Sequence, residues 1–491
     1  MQINIKNKGT ALQANHVLVL CLCEQESLSG VSQPFEGILN QLNDEGRFKG
    51  TDEQIYTFTT YNDQRLQDVV LLGLGPKSGL TPEKVRRAAG SAVKKVKELK
   101  GKQVDFDLAR LPEEELPSVL KAGIEGAFLG DYEFGNYKSD KKETKIEVFN
   151  VFLAPDNNGD YSSAVAEGRL LAECTLLARD LVNEPSNILG PVELAEQTKS
   201  IGARSGFKVE VLEEEKIRSL RMEAFLTVAR GSVKPPRLIV MRYTGNPQQK
   251  DNVLGFVGKG LTYDSGGYSI KPTEGMVTMK SDMGGAAAVI GAMAAIAQAR
   301  LPVNVTAVVA ACENMISGNA YRPGDIIGSM AGKKIEVLNT DAEGRLTLAD
   351  AVHYILQVEK VTRVVDIATL TGAVLVALGK TVTGVVTNNQ EFLQILQTAS
   401  ELSGERVWQL PAGEEYKKLI KSEIADLKNV GGKDAGTITA GLFIGEFVKE
   451  SPWLHMDIAG TSWSDSAEAY FSKGGTGVGV RLLYYLAKNT K

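Results

Sequence analysis

The sequence predicts an α/β protein with two domains, each built from a sheet flanked by helices. Three observations support this fold class. The chain has 491 residues, which exceeds one ordinary domain and makes two the natural expectation. Short apolar segments suited to buried strands alternate with helical segments along the chain. The composition, 43% hydrophobic and 23% charged, is typical of a globular protein that buries a large core.

The N-terminal part alternates strands and helices. The apolar runs HVLVLCLC (16–23) and VVLLGLG (69–75) predict buried strands. Thr81-Pro82 predicts a helix start, because it combines a capping hydroxyl with proline at the first turn. The lysines and arginines of this helix are expected to form a solvated face. A polar, lysine-rich stretch within 125–145 leads to a further predicted strand, IEVFNVFLA (146–154).

The domain boundary is expected at the start of a long helix. AVAEGRLLAECTLLARDLVN (164–183) has helical spacing and stops before Pro185. We therefore assign residues 1–163 to the first domain and 164–491 to the second. In the second, a very apolar helix is predicted at 285–299. Predicted strands alternate with helices there: 237–243, 252–258, 303–311, 363–370 and 453–460.

Charge and cysteine content exclude several classes of protein. With 60 acidic and 55 basic residues, the net charge of −5 gives no overall attraction to nucleic acid or anionic membranes. No apolar run approaches the roughly 20 residues that cross a membrane, and the segment 16–23 has no cleavage site of a signal peptide. The cysteines form no CxxC pair and are expected to be reduced core residues of a cytoplasmic protein. They are Cys21, Cys23, Cys174 and Cys312.

The stretch VLNTDAEGRLTLADAV (337–352) is the most informative part of the sequence. It predicts a strand end, a turn and a helix. In an extended segment, Asp341 and Glu343 point the same way, and Gly344 allows a sharp bend. Two converging carboxylates are costly unless a cation lies between them. The alternative is a solvated loop whose acidic residues favour a helix N-terminus.

A glycine-rich stretch, VGKGLTYDSGGYSIKP (257–272), directly follows a predicted strand. It brings Lys259, Asp264 and Lys271 to the carboxyl end of that strand, where open α/β sheets build their sites. A phosphate-binding loop is rejected, because Lys259 precedes a glycine rather than Ser or Thr and the spaced upstream glycine is missing.

A third stretch, MKSDMGGAAAV, places Asp282 at the start of the apolar helix, where it reads on its own as an N-cap. Together the three stretches supply four carboxylates, two lysines and an arginine beside strand ends. Four converging carboxylates predict two divalent ions that hold a bridging water and polarise an oxygen. With only three histidines, oxygen ligands suit Mg²⁺ or Mn²⁺, and Zn²⁺ stays possible.

These stretches resemble the leucyl (cytosol) aminopeptidases, a family of metallopeptidases. NTDAEGRL, GKGLTYDSGG with Lys271-Pro272, and MKSDMGGAA carry the resemblance, and NEPSN, DIATLTGA, LKNVGGKDAGTITAG and HMDIAG extend it. It covers the chain from about Ala164 to the C-terminus, whereas the N-terminal region matches loosely. It implies a smaller N-terminal, macro-like α/β domain and a larger catalytic α/β domain whose central mixed sheet is flanked by helices.

The resemblance also implies roles for individual residues. Lys271 would polarise the scissile carbonyl, and Arg345 would hold a bicarbonate ion that acts as general base. Lys259 would bind metal as a neutral amine, which two adjacent cations make plausible. The metal ligands would be Lys259, Asp264, Asp282 and Glu343 for one ion, and Asp264, Asp341 and Glu343 for the other.

A pocket for the first side chain of the substrate follows from the same resemblance. It would be lined by Met279, Thr369, Gly372 and Ala459, with backbone hydrogen bonds from Leu370 and Gly372. Ser462 and Tyr263 depart from residues that are common in relatives. These departures leave the preferred substrate open and do not affect the reaction.

The resemblance therefore implies a two-metal aminopeptidase that removes N-terminal amino acids from peptides, with a metal-bridged water attacking the scissile carbonyl. It also implies a cytoplasmic homohexamer. Two alternatives stay open. The same carboxylates could serve a two-metal phosphoesterase, although no phosphate clamp is evident. The chain could also be a DNA-binding regulator acting through its N-terminal domain, although its acidic charge argues against nucleic acid as a partner.

Overall fold

The computed structural model describes residues 1–8, 16–24, 35–62, 65–140 and 145–490. The chain forms two compact units. The first comprises Met1–Glu173 together with Ser466–Ser472, and the second comprises Cys174–Asp465 with Lys473–Lys491.

The first unit contains a six-stranded sheet with helices. Its strands are β1 (Gln2–Asn7), β2 (Val17–Leu22), β3 (Ile55–Asn62), β4 (Arg65–Gly73), β5 (Gln103–Asp107) and β6 (Val148–Leu153). They lie in the order β1-β6-β5-β2-β4-β3, in which only β3 runs antiparallel to its neighbour. The helices are α1 (Glu36–Asp44), α2 (Pro82–Glu98) and α3 (Leu116–Asp131).

The strands predicted at 16–23, 69–75 and 146–154 are confirmed. Part of the predicted lysine-rich stretch, residues 141–144, lies outside the described residues.

Helix α2 begins as its sequence predicts, but its basic face is only partly solvated. The Thr81 hydroxyl accepts a hydrogen bond from the Lys84 amide at 3.4 Å and caps the helix. Arg86, however, is buried and forms ion pairs with Glu83 and with Glu125, the latter at 2.8 Å. The prediction of a wholly solvated face was therefore wrong, because Arg86 lies on the side of α2 that packs against α3 and has a carboxylate partner there.

A long helix, α4 (Ser162–Asn183), follows the first sheet and confirms the helix predicted at 164–183. It runs across the division between the two compact units, so the domain boundary at residue 164 stays a prediction.

The second unit is built on an eight-stranded mixed sheet. Its strands are β7 (Lys208–Leu212), β8 (Arg237–Thr244), β9 (Val253–Asp264), β10 (Asn304–Asn314), β13 (Arg363–Ala368), β14 (Thr383–Thr387), β15 (Val407–Gln409) and β17 (Trp453–Asp457). The order is β15-β14-β17-β13-β9-β10-β8-β7. The central strands β17, β13, β9 and β10 are parallel, whereas β14, β8 and β7 add antiparallel pairings. The predicted fold class, with a mixed sheet, is confirmed.

Short strands and helices complete this unit. The minor strands are β11 (Ile326–Ile327), β12 (Ile335–Glu336), β16 (Leu427–Lys428), β18 (Trp463–Ser464) and β19 (Gly474–Gly475). The helices are α5 (Pro191–Ser205), α6 (Glu214–Ser219), α7 (Glu223–Ala229), α8 (Thr273–Met276), α9 (Gly284–Gln298), α10 (Gly344–Gln357), α11 (Gly372–Leu378), α12 (Gln390–Ser403), α13 (Glu414–Lys417), α14 (Gly436–Gly445) and α15 (Val480–Asn489). Helix α9 is almost entirely buried, as its apolar sequence predicts.

Strand β9 is longer than the sequence predicts. It was expected to end at residue 258 and to open into a glycine-rich loop, but it continues to Asp264. Its glycines serve close packing instead of a turn. A Cβ atom on Gly258 would lie 2.6 Å from the Gly285 carbonyl oxygen, and one on Gly285 would lie 2.0 Å from the Ile367 oxygen. Glycine in a strand commonly marks such a close approach of another backbone.

All four cysteines are buried and none of them forms a disulfide bond within the described chain, which confirms their predicted place in the core. In the part of the chain that the structure describes, no helix has the length and apolar character needed to cross a membrane.

Candidate metal centre and substrate cavity

The two site residues of β9 reach one face of the sheet because the strand contains a bulge. Lys259 and Asp264 are five positions apart, so regular alternation would point them to opposite faces. The pairing of β9 with β10 shifts between Cys312 and Glu313, which leaves Thr262 as an extra residue. One extra residue shifts the alternation by one position. The bulge therefore allows the Lys259 amine and the Asp264 carboxylate to serve one site.

Asp264 is buried, and its carboxylate is held from several sides. Its Oδ1 accepts hydrogen bonds from the Gly266 amide at 2.9 Å and from the Asn314 Nδ2 at 2.8 Å. Its Oδ2 lies 2.8 Å from the Lys271 Nζ. Asn314 also donates to the Thr340 carbonyl at 3.0 Å and so links Asp264 to the segment that carries Asp341. The carboxylate is thus fixed before any ligand arrives.

Asp341 and Glu343 converge on Asp264, as the sequence predicts, but in a different backbone conformation. One carboxylate oxygen of each of the three residues lies within 4.8 Å of the others. The predicted order of strand end, turn and helix is confirmed, but Asp341 lies in the turn and not in an extended segment, and Glu343 already has helical dihedral angles at the start of α10. The Asn339 side chain accepts a hydrogen bond from the Asp341 amide at 2.8 Å and stabilises this turn.

Gly344 is needed for a reason that the sequence did not reveal. It was expected to allow a sharp bend, but it is the first residue of α10 and has no left-handed dihedral angle. A Cβ atom there would lie 2.4 Å from the Cε of Lys259. The glycine therefore makes room for the lysine to pass between helix and sheet.

Asp282 does not cap helix α9. The N-cap position belongs to Met283, and no side chain caps that helix end. The Asp282 carboxylate instead accepts hydrogen bonds from the Lys259 Nζ and the Thr369 Oγ1, both at 2.8 Å. Lys259 also lies 3.0 Å from Glu343. Asp282 is therefore part of the charged cluster, and the simple capping interpretation is wrong.

Burial and mutual repulsion disturb the protonation of these carboxylates. Burial, reinforced by the charge of Asp264, raises the pKa of Glu343 to about 8. Burial likewise raises the pKa of Asp282 to about 6, although Lys259 opposes the rise. Burial alone would lower the pKa of Lys259, but Asp282, Glu343 and Asp264 outweigh it and raise that pKa. Carboxylates that resist full ionisation on their own favour binding of a cation, which displaces the protons.

The cluster has the chemistry of a divalent metal site. The Glu343 Oε2 is buried and has no hydrogen-bond partner among the described residues. Buried polar atoms are normally paired, so this oxygen fits a role as a metal ligand. The donor set consists of four carboxylates and one amine, which suits hard divalent ions. The residues present therefore fit the two ions that the sequence predicts.

Two cationic side chains lie beside the carboxylates. The Lys271 Nζ lies 2.8 Å from Asp264 and 2.5 Å from Asp341. Arg345 is buried and donates from Nη1 to the Asn429 carbonyl at 2.8 Å, whereas its Nε has no partner within the described chain. Burial lowers the pKa of Arg345 to about 10, although Glu343 opposes the fall. A buried guanidinium with free donors is suited to binding an anion.

All of the site residues predicted from sequence line one cavity of about 690 Å³. The cluster residues and cations there are Lys259, Asp264, Lys271, Asp282, Asp341, Glu343 and Arg345. The predicted pocket residues are Met279, Thr369, Leu370, Gly372 and Ala459. Ser462, Lys380, Trp463 and Asp465 extend the lining.

Sequence reasoning missed the residues that brace this cavity. The Asn429 side chain accepts from the Leu338 amide at 2.9 Å and donates to the Asn339 carbonyl at 2.7 Å, which fixes the turn before Asp341. Asn314 acts similarly behind Asp264. Asn429 lies in LKNVGGKDAGTITAG, which extends the family resemblance, but its spacing indicates no bracing role, and the spacing of Asn314 is not distinctive either.

The mixed sheet and the buried carboxylate–lysine cluster define an α/β protein with a candidate site for divalent metal ions. Comparisons with known proteins agree with this class. A model of the cytosol aminopeptidase family, catalytic domain, matches residues 176–484, and a model of the N-terminal domain of the same family matches residues 20–141.

Individual relatives cover nearly the whole chain. A "probable cytosol aminopeptidase" from Clostridium perfringens is 55% identical over 462 residues, covering 92% of this chain and 93% of the relative. One from Alkaliphilus metalliredigens is 44% identical and covers 100% and 99%. A solved mutant of tomato leucine aminopeptidase gives a TM-score of 0.89 at 32% identity, covering 100% and 97%. The bottromycin maturation enzyme BotP in complex with Mn gives 0.85 at 33% identity, covering 97% and 99%.

The chain belongs to the cytosol aminopeptidase family. It is accordingly a metal-dependent aminopeptidase, which confirms the reaction class that the sequence motifs imply.

Proposed function

We propose that this aminopeptidase removes the first residue from peptides that carry a free N-terminus, using two divalent ions at the carboxylate cluster. The convergence of Asp264, Asp341 and Glu343 within 4.8 Å carries the proposal. The Lys259 amine lies 3.0 Å from the Glu343 carboxylate, and the Asp282 carboxylate in turn lies 2.8 Å from that amine. The cavity around them has the volume to admit the end of a peptide.

The proposed division of the ligands between the two ions is the one that the family resemblance implies. One ion would be held by Lys259, Asp264, Asp282 and Glu343, and the other by Asp264, Asp341 and Glu343. When bound, the ions would anchor the substrate amine, polarise the scissile carbonyl and activate a water. Mn²⁺ or Zn²⁺ is proposed, with Mg²⁺ as a third possibility; the solved BotP neighbour contains Mn.

Lys271 would stabilise the charge that develops on the scissile carbonyl oxygen. Its amine is held between Asp264 and Asp341, so it is positioned before the substrate binds. Burial would lower its pKa, but the surrounding carboxylates raise that pKa and keep the amine protonated. A charged donor that is already oriented stabilises an oxyanion without reorganising during the reaction.

Arg345 would hold a bicarbonate ion that accepts a proton from the attacking water. The guanidinium lines the cavity, is fixed by Asn429 and has a free Nε donor within the described chain. The side chain carries positive charge at neutral pH, because even its lowered pKa is about 10. The role is that of an anion holder and requires no direct contact with metal.

An Arg345→Ala variant should keep its metal but lose most of its activity. We expect kcat to fall by about 10², within the range for a missing general base. Added bicarbonate should activate the wild type more than the variant, because the variant lacks the residue that holds the ion. Rates measured against bicarbonate concentration test this. Arg322→Ala, an exposed arginine outside the cavity, should keep the wild-type response, and equal activation of Arg345→Ala would contradict the role.

The pocket for the first side chain would be formed by Met279, Thr369, Gly372 and Ala459. The backbone of Leu370 and Gly372 would hold the peptide. Ser462 is buried at the cavity wall, and its hydroxyl adds a polar group there. Preference for one N-terminal residue is therefore a property to be measured with a panel of substrates.

We also propose that the chain acts in the cytoplasm as a homohexamer. Reduced buried cysteines suit a reducing compartment. The second unit exposes several apolar side chains, including Val233, which is fully exposed, and Val376, which is 90% exposed. The hexamer itself rests on the family resemblance, and these side chains are candidate contact positions between copies of the chain.

The proposed function is tested with matched free and N-acetylated peptides. Metal-depleted protein should be inactive, and addition of Mn²⁺, Zn²⁺ or Mg²⁺ should restore cleavage of the free peptide. The acetylated peptide should be cleaved about a hundredfold more slowly or worse, because loss of one strong charged contact is worth roughly 3 kcal/mol. Activity without metal, or efficient cleavage of the acetylated peptide, would contradict the proposal.

A further inference from the structure

Asp457 is a buried carboxylate at the carboxyl end of β17 that the proposed metal site does not use. It is fully buried, and four hydrogen bonds reach its two oxygens. Oδ1 accepts from the amides of Leu370 at 3.2 Å, Thr371 at 3.4 Å and Ala459 at 3.2 Å. Oδ2 accepts from the Thr371 hydroxyl at 2.6 Å. One buried side chain thereby satisfies three backbone donors and a hydroxyl.

These hydrogen bonds join three separate segments of the chain. Leu370 and Thr371 follow β13, and Ala459 follows β17. The Thr371 hydroxyl lies 3.0 Å from that of Thr437 at the start of α14, and it also accepts from the Val374 amide at 3.2 Å to cap α11. Asp457 and Thr371 therefore fix the loop after β13 against the loop after β17 and against two helix starts.

The fixed segments are those that line the cavity. Thr369, Leu370, Gly372 and Ala459 all face it. The Asp457 carboxylate accepts hydrogen bonds from the successive amides of Leu370 and Thr371, and this fixes the orientation of the peptide groups there. The backbone carbonyl and amide groups that point away from Asp457 are therefore held in a defined direction. The loop after β13 has no regular strand partner at this point, and these hydrogen bonds replace the missing ladder.

We propose that Asp457 and Thr371 form a positioning pair that orients the peptide-binding backbone of Leu370 and Gly372. The inference rests on the proposed function, since it assigns that backbone to the substrate. Neither side chain reacts. The contacts that the loop makes with a peptide persist from binding to the transition state, so their loss weakens binding more than chemistry and raises KM more than it lowers kcat.

The test compares Thr371→Val with a control variant that removes a similar hydrogen bond to the same strand, β17. Thr371 and Thr387 are both buried, and the hydroxyl of each donates a hydrogen bond of 2.6 Å to a residue of β17. The acceptor of Thr371 is Asp457 at one end of that strand, and the acceptor of Thr387 is the Trp453 carbonyl at the other end. Both Val variants should show a similar loss of thermal stability and unchanged metal content. Only Thr371→Val should raise the KM for a tripeptide, by about tenfold, with kcat changed less than threefold. Thr371→Ser restores the hydroxyl and should restore the KM.

The outcomes separate the two proposals. A KM of Thr371→Val within twofold of that of Thr387→Val, a failure of Thr371→Ser to restore it, or loss of metal from Thr371→Val would overturn the positioning role. Wild-type protein that cleaves no free peptide would instead overturn the proposed function. Thr437→Val removes the second hydroxyl partner of Thr371 and should raise the KM in the same direction, which keeps the inference testable if Thr371→Val accumulates poorly.

Discussion

An Asp264→Ala variant should lose nearly all aminopeptidase activity together with most of its bound metal. Asp264 is assigned to both ions, and its carboxylate also holds Lys271 at 2.8 Å. Bound metal stabilises the transition state by several kcal/mol, and losing about 4 kcal/mol of that stabilisation lowers the rate by about a thousandfold. Rates measured with added Mn²⁺ and metal content after dialysis check the expectation.

Asp325→Ala is the matched control for this variant. Asp325 accepts a hydrogen bond from the Arg322 amide at 3.0 Å and pairs with Arg230 at 3.3 Å, but it does not line the cavity. It should keep near-normal activity and metal content. An Asp264→Ala protein that retains both ions, or that works nearly as well as the control, would show that Asp264 is not a shared ligand.

A Lys271→Met variant should lose activity while keeping its metal. A single oxyanion donor is worth about 10²–10³ in kcat, and we expect a loss of that size. Metal content should not fall, because removing a positive charge between Asp264 and Asp341 favours a cation at those carboxylates. Single-turnover rates and metal analysis of the same preparation measure both quantities.

Lys333→Met provides the comparison for Lys271. Lys333 is partly buried and pairs with Glu446 at 2.6 Å outside the cavity. It should show wild-type kcat. If Lys271→Met keeps near-full activity, or loses metal in proportion to activity, the assignment of Lys271 to the carbonyl oxygen is wrong.

Much of the fold could be predicted from the sequence because its signals are local. The Thr81-Pro82 helix start, the apolar runs of β2 and β10 and the apolar helix α9 were each visible in short segments. The sequence could not show where β9 ends. Its glycines suggested a loop, whereas the close approach of Gly285 requires glycine within the strand.

The candidate site was predicted more completely than the local structure that forms it. Asp341 and Glu343 converge through a turn, not through strand alternation, and Asp282 forms part of the cluster instead of capping a helix. Asp264 joins them because of a bulge that no residue type announces. Bracing residues such as Asn314 escaped sequence reasoning, because their partners lie at distant positions in the chain.

The central claim is that two ions share the carboxylate cluster and that Asp282 serves only one of them. Metal stoichiometry after dialysis tests this claim most directly. Wild-type protein loaded with Mn²⁺ should retain two ions per chain, Asp282→Ala close to one, and Asp264→Ala very little. Two firmly held ions in Asp282→Ala, or a single ion in the wild type, would contradict the two-metal assignment.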